Sequence, residues 1–207
     1  MNETDRSASP TAQTSARHTR LHDIREAALD LFLERGYHGT TMKDIGQYLG
    51  LRAPSLYNHV DSKQEILRNI MLDTERELLA EFHQATHGVE DIVDAIRRAI
   101  ATFVHHHARN RREALVGNRE TANLDEPARS QLLQMRREHE HAIRGLIEKG
   151  CTQGYFQVDH PHLAAFGMLE MGVSVARWFD PAGPLSADEV ARSYGNMAVR
   201  MCTSTPS

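Results

Sequence analysis

Between Leu49 and Leu56 the chain must end one helix and begin another within a few residues, and that constraint shapes everything around it. Met42, Ile45 and Leu49 recur at helical spacing, as do Leu56 and Val60 further on, so each set marks one inward stripe. Gly50 tolerates the positive φ that closes a helix, and Pro54 suits the first turn of the next because its missing N–H would be unpaired there anyway. So short a link predicts a helix-turn-helix. On the second helix Ser55, Tyr57, Asn58 and His59 are left facing outward, and all four can bond to phosphates or base edges.

Upstream, Ile24, Ala27, Ala28, Leu31 and Phe32 form the stripe of a preceding helix. Gly36 and Tyr37 read as its Schellman stop, with Tyr37 folded back on Phe32. Three such helices can bury one small core. Thr41 falls at the N-cap of the middle helix with Asp44 at N3, where the hydroxyl and free N–H groups suit a phosphate as well as a plain cap.

These residues carry a resemblance. Glu34-Arg35-Gly36-Tyr37, Thr40-Thr41, Asp44-Ile45-Gly46, Ser55-Leu56-Tyr57-Asn58-His59-Val60 and Ser62-Lys63 together resemble the N-terminal pattern of TetR-family transcriptional regulators. The resemblance implies an all-helical, dimeric repressor that binds double-stranded operator DNA and releases it when a small molecule enters the C-terminal domain. Carried over by position, it implies that Thr41, Tyr57, His59 and Lys63 touch backbone phosphates and that Ser55 and Asn58 lie nearest base edges. Two residues depart from the family pattern. Ala53 stands where a hydroxyl residue is frequent, which removes a phosphate contact, and Val60 stands where Phe is usual, which alters packing.

Charge alone does not identify a DNA-binding protein. The chain has 207 residues, 40% hydrophobic and 25% charged, with a net charge of −4, so attraction to DNA must come from local placement. Lys43 and Arg52, with Arg17, Arg20, Arg25 and Lys63, can form a basic patch, although Asp23, Glu26, Asp30, Asp44 and Asp61 nearly cancel it. Residues 1–16, rich in Ser, Thr, Ala and Pro, are expected to be a disordered tail, with Arg17, His18 and Arg20 placed to follow a phosphate backbone. No stretch reaches the roughly 20 apolar residues of a membrane span, and the opening has neither the basic start nor the apolar core of a signal peptide. A cytoplasmic protein without membrane contact is expected. Cys151 and Cys202 are too few and too far apart for a disulfide framework or zinc site.

The helix-turn-helix domain is expected over residues 17–63 and a ligand-binding and dimerisation domain over 64–203. A capping box at Ser62 and Glu65 opens a long helix carrying Ile66, Leu67, Ile70, Met71, Leu78, Leu79 and Phe82, which ends at Thr86-His87-Gly88. Val89, Ile92, Val93, Ile96, Ile100, Phe103 and Val104 mark the next. Residues 127–150, with Leu132, Met135, His139, Ala142, Ile143, Leu146 and Ile147 at helical spacing, mark another. Two last helices are expected over 162–178 and 186–201, the latter opened by Ser186 and Glu189. The fold class is all-α, with roughly nine helices. Ala164, Ala165, Gly167, Gly172 and Ala176 on one of the last two helices, and Ala187, Ala191, Gly195 and Ala198 on the other, permit close packing, either across a two-fold axis or within the chain. The family resemblance makes this helix pair the homodimer interface.

Arg177 to Leu185, together with Gly154-Tyr155-Phe156, resembles a TetR branch that responds to acyl-CoA thioesters. Phe103, Met135, Met168 and Met171 are candidates to line an apolar tunnel, with Arg177 and Trp178 near its polar end, although a Met and aromatic stripe also serves as plain core. His105-His106-His107, His139 and His141 lack the i, i+4 or i+3 spacing of helical metal ligands, so solvated or capping histidines and no metal are expected. No cofactor is implied. No P-loop, G-x-S-x-G or H-E-x-x-H pattern occurs, which argues against an enzyme. The alternative class is a helical interaction or ligand-sensing protein without operator binding.

Overall fold

The helical spacing read along the chain is realised as nine α-helices within residues 10–203, the part that a computed structural model describes. They are α1 (Pro10–Arg35), α2 (Met42–Tyr48), α3 (Ala53–Tyr57), α4 (Lys63–Thr86), α5 (Ile92–Arg109), α6 (Arg111–Glu120), α7 (Ala128–Thr152), α8 (Pro161–Trp178) and α9 (Ala187–Thr203). A 3-10 turn at Thr121–Asn123 follows α6, and no strand occurs among the described residues. Two compact units divide between Ile70 and Met71, inside α4.

The first unit is built by local signals. Ile24, Ala27, Ala28, Leu29, Leu31 and Phe32 of α1 are buried, and the Tyr37 ring packs on that of Phe32 with centres 5.5 Å apart. Thr41 caps α2 through a full capping box: its hydroxyl accepts the Asp44 N–H at 3.1 Å, and the Asp44 carboxylate accepts the Thr41 N–H at 2.8 Å. Gly50 has φ 65°, and the Leu51 N–H reaches back to the Gly46 carbonyl at 2.8 Å, a Schellman closure. Ile45, Leu56 and Val60 are buried, while Met42 and Leu49 are half-buried.

Two expectations change here. The first helix begins at Pro10, within the segment expected to be a disordered tail; Pro fits a first turn, and Ala12, Gln13, Ala16 and Arg17 are good helix formers. Residues 1–9 of that tail lie outside the described residues. The reading helix is shorter than its stripe suggested: α3 stops at Tyr57, so Asn58 and His59 stand in the turn after it.

In the second unit α5 packs against α9, α8 and α7. Phe82, Ile96, Ile100, Val104, Ile143, Ile147, Met168, Val175 and Val190 belong to its apolar core. Glycine sets how closely the helices approach. A Cβ at Gly195 of α9 would lie 2.6 Å from the Arg97 carbonyl oxygen of α5, and one at Gly172 of α8 would lie 2.5 Å from the Phe103 ring. Ala165, Ala176, Ala191 and Ala198 are buried as well. Most of the small residues on the last two helices therefore serve packing within the chain. The large apolar residues that stay exposed are Leu163, Phe166, Met171 and Trp178 on α8 and Met197 and Met201 on α9, among polar outward residues such as Glu170, Arg192 and Asn196. Ser186 and Glu189 form the second full capping box, with N–H to oxygen distances of 2.8 and 3.3 Å.

Candidate nucleic-acid interface and effector domain

The turn that Gly50 closes leaves α3 presenting its outer side to solvent. Ser55, Tyr57 and Asn58 are exposed, as are Thr41, Lys43 and Arg52, whereas His59 is half-buried with no hydrogen-bond partner for Nδ1. Leu56, between Ser55 and Tyr57, is fully buried and ties this face to the core of the unit. The Asp44 carboxyl is held below its usual range by its hydrogen bonds to Thr41, so an anion near the start of α2 meets the cap as well as the free N–H groups. Thr40 is buried, its hydroxyl donating to the carbonyls of Leu31 and Gly36 at 3.2 and 2.9 Å, so of the Thr40-Thr41 pair only Thr41 is exposed.

Lys63 is engaged inside the unit. Its Nζ donates to the carbonyls of Tyr37 and Thr40, each at 2.6 Å, and lies 4.1 Å from the centre of the Tyr37 ring. It therefore ties the start of α4 to the loop before α2. At the entry to α4, the Ser62 hydroxyl accepts the Glu65 N–H at 3.1 Å, but the Glu65 carboxylate turns to the Asp61 N–H at 2.6 Å rather than completing the box on Ser62.

In the second unit the six candidate ligand residues divide by burial. Phe103, Met135 and Met168 are buried, but Met171, Arg177 and Trp178 are exposed, with the Trp178 ring stacked near that of Tyr194 at 6.4 Å and 24°. The reason is helical phase. Ala165, Met168, Gly172, Val175 and Ala176 face inward along α8, which turns Met171 and Trp178 to the outside. An open groove of about 610 Å³ lies elsewhere, lined by Arg97, Arg98, His105, Arg109 and Arg192 with Glu81 and Asp188 among its walls, and none of the six candidates borders it.

Comparison with known proteins decides what this architecture belongs to. Residues 24–70 match the model of bacterial regulatory proteins of the tetR family, and residues 89–202 match the tetracyclin repressor-like C-terminal domain. The chain belongs to the TetR family. A relative of this TetR protein is the HTH-type transcriptional repressor KstR2 of Rhodococcus jostii, 32% identical over 200 residues, covering 89% of this chain and 92% of the relative. Among solved structures, the TetR-family regulator PfmR of Thermus thermophilus is 34% identical with a TM-score of 0.77, covering 86% of this chain and 97% of the other. AibR, solved in complex with isovaleryl coenzyme A and operator DNA, shares the fold at a TM-score of 0.75 and 22% identity, covering 89% and 98%. Membership makes this TetR protein a DNA-binding transcriptional regulator. Among its described residues no helix is long and apolar enough to cross a membrane.

The expectation of solvated histidines fails at three of the five positions in this TetR chain, because His106, His107 and His139 are buried. His106 and His107 follow Phe103 and Val104 at helical spacing, and His139 lies between Met135 and Ile143, so the stripe carried them inward. His106 Nδ1 meets the Glu81 carboxylate at 2.9 Å, and Arg109 pairs with the same carboxylate. Burial lowers the His106 pKa, pushes His107 down to about 4 and His139 down to about 3. Glu75, buried beside Arg136 at 3.3 Å, is raised by desolvation against the pull of that guanidinium. The stripe of α7 already placed His139 on its inward face, whereas the pairing of Glu75 with Arg136 and of Glu81 with His106 and Arg109 joins different helices and carries no signal in the local pattern.

Proposed function

We propose that this protein is a homodimeric repressor that binds a palindromic operator through two copies of the α2–α3 motif and releases it when an acyl-CoA thioester binds the second unit. The observation that carries the reading is α3 itself. A helix anchored by one buried leucine, Leu56, presents Ser55 and Tyr57 outward with Asn58 beside them, groups suited to phosphates and base edges rather than to a core.

Two reading helices need a two-fold partner to fall in successive major grooves, about 34 Å apart. Leu163, Phe166, Met171 and Trp178 with Met197 and Met201 supply exposed apolar side chains on α8 and α9 for that partner. Thr41, Lys43, Arg52, Ser55, Tyr57, Asn58, His59 and Lys63 are proposed to form the DNA contact, with Lys63 acting chiefly by holding the Tyr37–Thr40 loop in place. The buried Phe103, Met135 and Met168 are proposed to face the acyl group. Arg177 and Trp178, being exposed, would act at the entrance. The repressor reading draws on the named role of the KstR2 relative and the acyl-CoA reading on the ligand of AibR. A DNA-reading protein of this type acts in the cytoplasm.

Release requires the ligand to bind the DNA-free arrangement more tightly; a roughly 100-fold difference corresponds to about 2.7 kcal/mol of coupling and must be reciprocal. The test is an anisotropy titration of labelled DNA from upstream of the gene, at two salt concentrations, with and without a panel of acyl-CoAs. Saturable, salt-sensitive binding that one thioester reverses supports the reading. Binding that no thioester reverses removes the effector class, and a thioester affinity unchanged by operator removes the coupling.

A further inference from the structure

His139 stands out in the interior of the second unit. It projects from the middle of α7 and is 2% exposed. Its ring centre lies 4.8 Å from that of Phe82 on α4 and 5.1 Å, edge to face, from that of Phe103 on α5. Neither ring nitrogen has a hydrogen-bond partner. Its buried neighbours differ: His107 donates from Nδ1 to the Phe103 carbonyl at 2.9 Å, and His106 meets Glu81.

A neutral imidazole always carries one N–H and one lone pair. Burying both without a partner is costly, and Leu or Phe would fill the same space without that cost. The deficit is removed only by a group that accepts from one nitrogen, donates to the other, or does both. Burial keeps this imidazole neutral at physiological pH, and His107, His106 and His83 nearby oppose a positive charge on it. Glu75 is already matched by Arg136, and Glu81 by Arg109 and His106, so neither of these buried or half-buried carboxylates is left to hold His139 as a cation. A neutral oxygen, as hydroxyl or carbonyl, meets that requirement.

We propose that His139 is the polar anchor of an effector subsite between α4, α5 and α7, taking the hydroxyl or carbonyl oxygen of an otherwise apolar ligand whose hydrocarbon lies against Phe82 and Phe103. This rests on the second unit being the effector domain, but not on the ligand being a thioester. Met135, one turn before His139, and Met168 on α8 are unbranched side chains that adapt to a ligand's shape.

The experiment uses the full chain labelled with 15N-histidine, with the His139 ring signals assigned by comparison with His139→Gln. Cyclohexanol, cyclohexanone, methylcyclohexane and cyclohexanecarboxylate are titrated in turn, and the thermal midpoint is followed in parallel. The alcohol and the ketone should shift the His139 nitrogens saturably and raise the midpoint of the wild type, but not that of His139→Phe; methylcyclohexane should do neither. If His139→Phe does not fold, the nitrogen shifts of the wild type decide the matter. Signals that no probe moves, that the hydrocarbon moves equally, or that only the carboxylate moves by creating the doubly protonated ring would overturn the proposal. A thioester that releases DNA equally from wild type and His139→Phe would overturn it too while leaving the acyl-CoA reading intact. Probes held at His139 when no thioester releases DNA would support it while the acyl-CoA reading falls.

Discussion

Lys63 Nζ sits 4.1 Å above the Tyr37 ring and donates to the Tyr37 carbonyl at 2.6 Å, so one side chain fixes both the ring and the backbone of the second residue after α1. A residue that looks from sequence like a phosphate contact is thus also a brace. Lys63→Ala is expected to lower stability by about 1.5–3 kcal/mol, the range for hydrogen bonds involving a charged group. The shift of the urea midpoint checks this, and an unchanged midpoint would mean that the brace contributes nothing.

Tyr57 stands exposed on α3 beside buried Leu56. Tyr57→Ala is expected to weaken operator binding at least tenfold, about 1.4 kcal/mol, with the circular dichroism and thermal midpoint nearly unchanged. Loss of helicity would show that Tyr57 supports the fold instead.

Glycine 195 and glycine 145 should respond to alanine in opposite directions. The new Cβ at Gly195 meets the Arg97 carbonyl oxygen at 2.6 Å, backbone against backbone, whereas nothing lies within 4 Å of one at Gly145 on α7. Gly195→Ala should lose about 1–3 kcal/mol through overpacking, and Gly145→Ala should gain about 0.5–1 kcal/mol through helix propensity. Urea denaturation of both variants gives the comparison.

Stability should fall in mild acid because of the buried imidazoles. In the unfolded chain each takes up a proton near pH 6.5, while the folded protein keeps His107 neutral down to about 4 and His139 down to about 3. The unfolded state then binds more protons, so the contribution is complete above pH 6.5 and is lost as pH falls towards 4, at up to about 1.4 kcal/mol per pH unit for each group. Glu75, raised above 4.5, works in the opposite sense just above its ordinary range. Urea midpoints at pH 7 and 5 should therefore differ more for the wild type than for His139→Leu.

The exposed apolar residues of α8 and α9 make their own prediction. Phe166→Asp, at an exposed position, should leave the monomer folded and convert a dimer to monomer in sedimentation. A monomeric wild type would remove the two-fold arrangement.

What could be read from the sequence was local. The Thr41 cap, the Ser186 capping box, the Tyr37 contact on Phe32 and the Gly50 closure depend on residues a few positions apart and are present, whereas the box at Ser62 is only half made because Glu65 turns to Asp61. Long-range partners were not legible. Gly195 read as either a dimer or an in-chain contact because its neighbour, the Arg97 carbonyl, lies far away along the chain, and one helical stripe on α8 did not show that Met168 is buried while Met171 is exposed. His139 was legible as an inward position but not as an unpartnered one, since its aromatic neighbours come from α4 and α5.

The most direct test of the central claim, that α2 and α3 read DNA as a two-fold pair, is selection of binding sites from a random duplex pool by the full-length protein. The expected result is enrichment of an inverted repeat whose half-sites lie about one helical turn, or a multiple of it, apart, with affinity that falls as salt rises. A pool that yields no enriched sequence, or only a single asymmetric half-site, would contradict it.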